Sequence, residues 1–203
     1  IVAAFFEVLG PPPVGSLIQS MEGWLYHHYG SYDDSTAYKL CPLYAEDFEF
    51  GSGPPSISGV SREPCAPTTS DAEVVVSCVI LDNSTISEAL VHYTLDGSSY
   101  STATMTSTDD SLFTAVIPLS GISSNDNSVY YYITATDDGT DQSEPKTSQF
   151  PYEIDQDQLG FKVTDELNIA DLQYTPWPSG NTLYEGCVVT VSGVVTADTA
   201  QYN

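Results

Sequence analysis

Across residues 56–154 apolar and polar side chains alternate in short runs broken by turn signals, the period-two pattern of half-buried β-strands. Residues 72–81 place Val74, Val76, Cys78 and Ile80 on one face. Residues 89–95 do the same with Ala89, Val91, Tyr93 and Leu95, and Asp96-Gly97 closes that strand as a turn. Runs at 100–106, 112–117 and 129–135 supply three more. The last of these puts Val129, Tyr131, Ile133 and Ala135 inward and Tyr130, Tyr132 and Thr134 outward. With 56–62 before them and 149–154 after, the pattern predicts seven strands, the number that closes a two-sheet sandwich.

The flanks read differently. Residues 1–9 are almost wholly apolar and are broken by Pro11, Pro12 and Pro13. Ser16 and Gln19 have the spacing of a capping box, after which Leu17, Ile18, Met21, Trp24, Leu25 and His28 share a helical face ending at Gly30. The sequence therefore predicts a short N-terminal helix, and one helix cannot bury itself. Gly51 to Pro55 reads as a linker. After the sandwich, residues 187–197 predict a long apolar strand interrupted by Gly193. The expected organisation is a helical and irregular segment over 1–50, a β-sandwich over 55–155 and a β segment over 160–203.

Several phrases carry a family resemblance: Val74-Val75-Val76-Ser77-Cys78, Val91-His92-Tyr93-Thr94-Leu95-Asp96-Gly97, Thr114-Ala115-Val116-Ile117-Pro118 and the stretch from Val129 to Asp137. They resemble the immunoglobulin-like or fibronectin type III-like modules of bacterial secreted multidomain proteins. Leu183-Tyr184-Glu185-Gly186, with the apolar run after it, is similar to the opening strand of the OB-fold-like module that follows such sandwiches. The resemblance implies a mainly β protein: a seven-stranded immunoglobulin-like β-sandwich with a short N-terminal helical segment and a C-terminal, partial OB-like β segment. Such modules serve as spacers, adhesins and accessory domains, so the likeness speaks to fold before function.

Charge narrows the partners. Twenty-eight acidic side chains face only Lys39, Arg62, Lys146 and Lys162, a formal net charge of −24 at pH 7. Phosphate recognition depends on clustered cations, so nucleic-acid binding is excluded on electrostatic grounds. No apolar run is long enough to span a bilayer as a helix, and no membrane insertion is expected. The chain opens at Ile1 without a Met or a signal sequence and reads as a mature product or a fragment. Cys41, Cys65, Cys78 and Cys187 lack C-x-x-C spacing and fit an oxidising compartment, which predicts an extracellular or cell-surface location. Four cysteines allow three pairings. Cys41 with Cys65 is preferred because both lie in Pro-rich irregular stretches, and a loop of that size contributes about 3 kcal/mol. Cys78, on an inward strand face, is compatible with a buried thiol.

No catalytic constellation emerges, and the chain is expected not to be an enzyme. His27, His28 and His92 sit in no metal-binding or hydrolase pattern, and no G-x-S-x-G or phosphate-binding glycine loop is present. The pairs Asp33-Asp34, Asp109-Asp110 and Asp137-Asp138 read as solvated turns. Asp137, Asp138 and Asp141, with Gly139 for the bend, form a candidate calcium loop, although the spacing is not that of an EF-hand. Asn83-Ser84-Thr85 is a glycosylation sequon.

The leading expectation is an extracellular structural or adhesive protein, a filament subunit assembled by self-association, or with other surface proteins, through the apolar segments 1–9 and 187–197. An accessory, non-catalytic region of a larger secreted hydrolase such as a protease or nuclease is the alternative. A carbohydrate-binding module is a third reading, suggested by Trp177 and by 14 tyrosines, whose rings stack on sugar faces when exposed.

Overall fold

A computed structural model describes residues 18–28, 37–42, 44, 47–50, 53–109, 111–122, 127–140 and 144–193. The chain is mainly β. Four short strands come first: β1 (Ile18–Met21), β2 (Trp24–His28), β3 (Ala37–Cys41) and β4 (Phe48–Phe50). β1 pairs with β4 and β2 with β3, both antiparallel. The helix expected across this segment is therefore corrected: residues 18–28 form two strands. Gly23 interrupts the helical face, and a Cβ there would lie 2.5 Å from the Cys41 carbonyl oxygen, so the chain needs glycine to fold back against Cys41 and Pro42. Trp24 and Tyr26, both aromatic, favour strand pairing once a partner is available.

The sandwich follows. β5 (Ser56–Glu63), β6 (Glu73–Leu81), β9 (Thr106–Asp109) and β10 (Leu112–Pro118) make one antiparallel sheet in the order β5-β6-β10-β9. β7 (Ile86–Thr94), β8 (Ser101–Thr104), β11 (Asn127–Asp137) and β12 (Thr147–Phe150) make the other in the order β12-β11-β7-β8. The run expected as one strand at 100–106 is two. Met105 lies between β8 in one sheet and β9 in the other, with its side chain only 4% exposed in the core. A buried side chain at the crossing lets the strand change sheets without opening the interior.

The inward faces match the alternation read from the sequence. Val74, Val76, Cys78 and Ile80 of β6, Val129, Tyr131, Ile133 and Ala135 of β11, and Phe113, Ala115 and Ile117 of β10 share one continuous core. Each fully buried aliphatic or aromatic side chain contributes about 1.5–3 kcal/mol relative to exposure. At the hairpin end, Asp96 accepts hydrogen bonds from the backbone N–H groups of Ser98 and Ser99 and from the Thr94 hydroxyl, while Gly97 takes a positive φ. Those donors hold the Asp96 carboxyl far below the usual carboxylate range.

β13 (Leu159–Val163) also joins the second sheet. It pairs with β11 from Asn127 to Tyr131, while β12 pairs with the next stretch of the same strand, Ile133 to Thr136. Phe161 and Val163 enter the main core. Gly160 lets the two backbones approach, since a Cβ would meet the Val129 carbonyl oxygen at 2.8 Å. Beyond β13 come a short helix, α1 (Ile169–Gln173), capped by Asn168, and a series of turns. The apolar run expected as a strand from residue 187 shows, over 187–193, only an isolated bridge from Ser192 to Asn168; residues 194–197 lie outside the described part of the chain, as do residues 1–9.

Candidate functional site

The most heavily built feature of the molecule is where the segment after β13 fastens to the end of β5. The disulfide joins Cys65 to Cys187, which corrects the preferred pairing of Cys65 with Cys41; Cys41 and Cys78 are free thiols. The preference rested on proximity in sequence, whereas β13 pairs with β11 and returns the chain to the sandwich, so that a cysteine 122 residues away lies within 5.8 Å, Cα to Cα. Cys78 is buried, and desolvation pushes its thiol up to about 11.

Arg62, the chain's single arginine, sits beside this bridge. Its Nε donates to the Cys65 carbonyl at 3.0 Å and its Nη2 to the Leu183 carbonyl at 2.6 Å. Its guanidinium lies 5.6 Å from the centre of the Phe161 ring and 5.8 Å from that of Tyr184, within cation–π range. Burial raises the Tyr131 hydroxyl above its ordinary value, and the nearby Arg62 charge opposes the shift. Around this pair the backbone N–H of Thr164 donates to the Pro67 carbonyl, and Thr69 donates from both backbone and hydroxyl to Asp165. The Thr69 hydrogen bonds hold the Asp165 carboxyl below its usual range. Leu167, Leu183 and Tyr184 form a second small core with Ala66, Leu172 and Val189 packed on it.

Arg62→Ala is expected to lower stability by about 2–3 kcal/mol, because two carbonyls lose a charged donor in a half-buried setting. Arg62→Lys restores only part of that, since one ammonium cannot reproduce a planar fork that reaches two acceptors. Urea unfolding of the two variants checks the ranking.

The candidate calcium loop is placed only in part. Asp137 is fully buried at the end of β11, where its Oδ1 accepts from the backbone N–H groups of Gly139 and Lys146 and so closes the loop between them. Asp138 points to its own turn, accepting from the Thr140 backbone and hydroxyl, which lower its carboxyl. Asp141 lies outside the described residues. Among the described residues no group of three or more His, Cys, Asp or Glu side chains is arranged to hold a metal ion.

His92 is on the outward face of β7, as its position in the alternation predicts. It is half-buried: its ring stacks on Tyr132 at 4.5 Å, and its Nε2 pairs with the Thr134 hydroxyl at 2.9 Å. Burial lowers its basicity, and Glu88 opposes that. His27 and His28 belong to β2. Asn83 of the sequon is exposed on the turn between β6 and β7, and Trp177 packs edge-on against Tyr130.

Sequence reasoning missed Arg62 and the clasp it serves. The available signal was the rarity of the residue: a lone arginine in so acidic a chain has a built environment or none. The unburied apolar face that includes Trp24 and Leu25 is expected from the sequence, but on a helix; the structure carries both residues on β2. Trp24 is 71% exposed and Leu25 66% exposed. At the far end Val188, next to the disulfide, is 98% exposed.

No protein-family model matches the chain, and no curated protein matches it. What defines the class is the fold: a mainly β protein of several antiparallel sheets, the two largest sharing one sandwich-like core, with a disulfide-clasped C-terminal segment.

Proposed function

We propose that this is an extracellular structural or adhesive protein built on an immunoglobulin-like sandwich, which associates with copies of itself through apolar surface at the two ends of the chain. The observation that carries the reading is the exposed Trp24–Leu25 pair on a two-stranded sheet. A two-stranded sheet buries little on its own, and large apolar side chains left in water favour a partner. Val188, beside the clasp at Cys187, is a further exposed apolar side chain toward the other end of the described residues.

The remaining features support the same reading. A disulfide suits an oxidising, extracellular setting. No helix among the described residues is long and apolar enough to cross a membrane. Two sheets sharing one core, bridged at Met105, support the immunoglobulin-like description. A strongly negative surface turns away nucleic acids and leaves apolar contact as the means of association.

Light scattering across a concentration series, with electron microscopy of the same samples, tests this. Oligomers or filaments are expected for the unaltered protein, and monomers for Trp24→Ser/Leu25→Ser and for Val188→Lys. A monodisperse monomer at every concentration would overturn the assembly reading and favour an accessory module of a larger secreted enzyme.

A further inference from the structure

Deepening the adhesive part of that reading, on which it rests, we infer that the outer face of the second sheet carries a cleft that binds a neutral carbohydrate. The chain leaves the sheet between β12 and β13, and this excursion encloses a shallow cleft of about 400 Å3 lined by Gln149, Tyr152, Glu153, Ile154, Asp155 and Gln156. Tyr152 is 61% exposed. Gln149 donates from its side-chain amide to the Pro151 and Tyr152 carbonyls, which fixes the wall.

The cleft is tied to an aromatic row on the same face. Gln158 donates to the Ile154 carbonyl and accepts from the Tyr100 hydroxyl at 2.7 Å. Tyr100, 43% exposed, stands edge-on to Tyr132, which is stacked in turn on His92. Tyr132 and His92 are covered by one another and act as positioning residues. Tyr152 is the exposed ring in the cleft lining, and Tyr100 is an exposed ring beyond that lining, joined to it through Gln158.

The lining selects the ligand. Carboxylates accept two hydrogen bonds each from adjacent hydroxyls, and side-chain amides both donate and accept, a match for vicinal diols. Exposed tyrosines supply an apolar surface for the C–H face of a sugar ring together with a polar tip. Among the described residues no lysine or arginine lines the cleft, and the field of a chain at −24 repels sulfated or uronate-bearing polymers, which sets anionic glycans aside and leaves the neutral ones. Two carboxylates without a third ligating side chain do not make a cation site.

A glycan array of neutral hexose and pentose oligosaccharides, followed by calorimetry with cellohexaose, laminarihexaose and xylohexaose, tests the cleft. Binding is expected to weaken about tenfold in Tyr152→Ala, the loss of one aromatic contact, and by less in Tyr100→Ala, since Tyr100 reaches the cleft lining only through Gln158. Tyr100→Phe keeps the ring but cuts the link to Gln158; it is expected to match Tyr100→Ala and serves as the readout if Tyr100→Ala does not fold. Silence on every neutral glycan, or binding unchanged in Tyr152→Ala, overturns the inference. Light scattering on the unaltered protein, read beside its glycan binding, separates the two proposals: assembly without glycan binding sinks the cleft alone, and glycan binding by a monomer sinks assembly alone.

Discussion

Phe161→Ala is expected to reduce the unfolding free energy by about 3–5 kcal/mol, the cost of removing a fully buried aromatic ring and leaving a cavity. Phe161 is 0% exposed, lies 6.2 Å from the Tyr131 ring centre and forms the surface over which Arg62 sits. In a chain of this length that corresponds to a fall in melting temperature of roughly 10 °C. The form of the transition matters as much as its midpoint. If β13 is part of the sandwich, calorimetry shows the main transition itself moving down. A loss confined to a small separate transition would mean that the segment after residue 155 folds by itself and only leans on the sheet. Arg62 touches the same ring, so Phe161→Ala and Arg62→Ala are expected to be less than additive.

The second large effect is expected from the disulfide. Cys65→Ser combined with Cys187→Ser removes a cross-link spanning 122 residues. In the chain-entropy description a loop of that order constrains the unfolded state by about 4–5 kcal/mol. The double variant and the reduced unaltered protein are expected to melt together, well below the oxidised form. Cys41→Ser is expected to leave the oxidised melting point where it is, because Cys41 is a free thiol. The opposite result, with Cys41→Ser mimicking reduction, would restore the Cys41–Cys65 pairing and contradict the clasp. Limited proteolysis adds a local readout: cutting after β13 is expected to accelerate once the bridge is gone, while Arg62 and Thr69 still slow it through their contacts with Leu183 and Asp165.

Much of the sandwich is legible in the residues, because a strand buried on one face must alternate. Val74, Val76, Cys78 and Ile80, and Val129, Tyr131, Ile133 and Ala135, lie where their pattern puts them, all at or below 1% exposure. The Asp96-Gly97 turn is equally direct, since only a few residue types satisfy its backbone and its hydrogen bonds. Residues 18–28 adopt a structure that their local pattern does not encode. Their apolar spacing fits a helical face, yet Gly23 and the approach of Cys41 convert them to strands, and nothing local announces a contact with a residue 18 positions away. The break at Met105 is hidden in the same way: the alternation continues through it, and only the two partner strands, β7 and β10, reveal that the chain has changed sheets.

The candidate sites divide along the same line. Asp137 and Asp138 are visible in sequence as a cluster of carboxylates, but the buried position of Asp137 and its use by two backbone N–H groups depend on how β11 ends. The row joining His92, Tyr132, Tyr100 and Gln158 draws on β7, β11 and two loops and has no signature in any one of them.

By itself the amino-acid order determined a mainly β chain, the inward face of most sandwich strands, and a strong excess of negative charge, because these depend on periodicity and composition. The tertiary structure alone decided which cysteine meets Cys65, which carbonyls the single arginine serves, and which aromatic rings stay exposed. Those are contacts between residues far apart in the chain, and they exist only after the strands have paired.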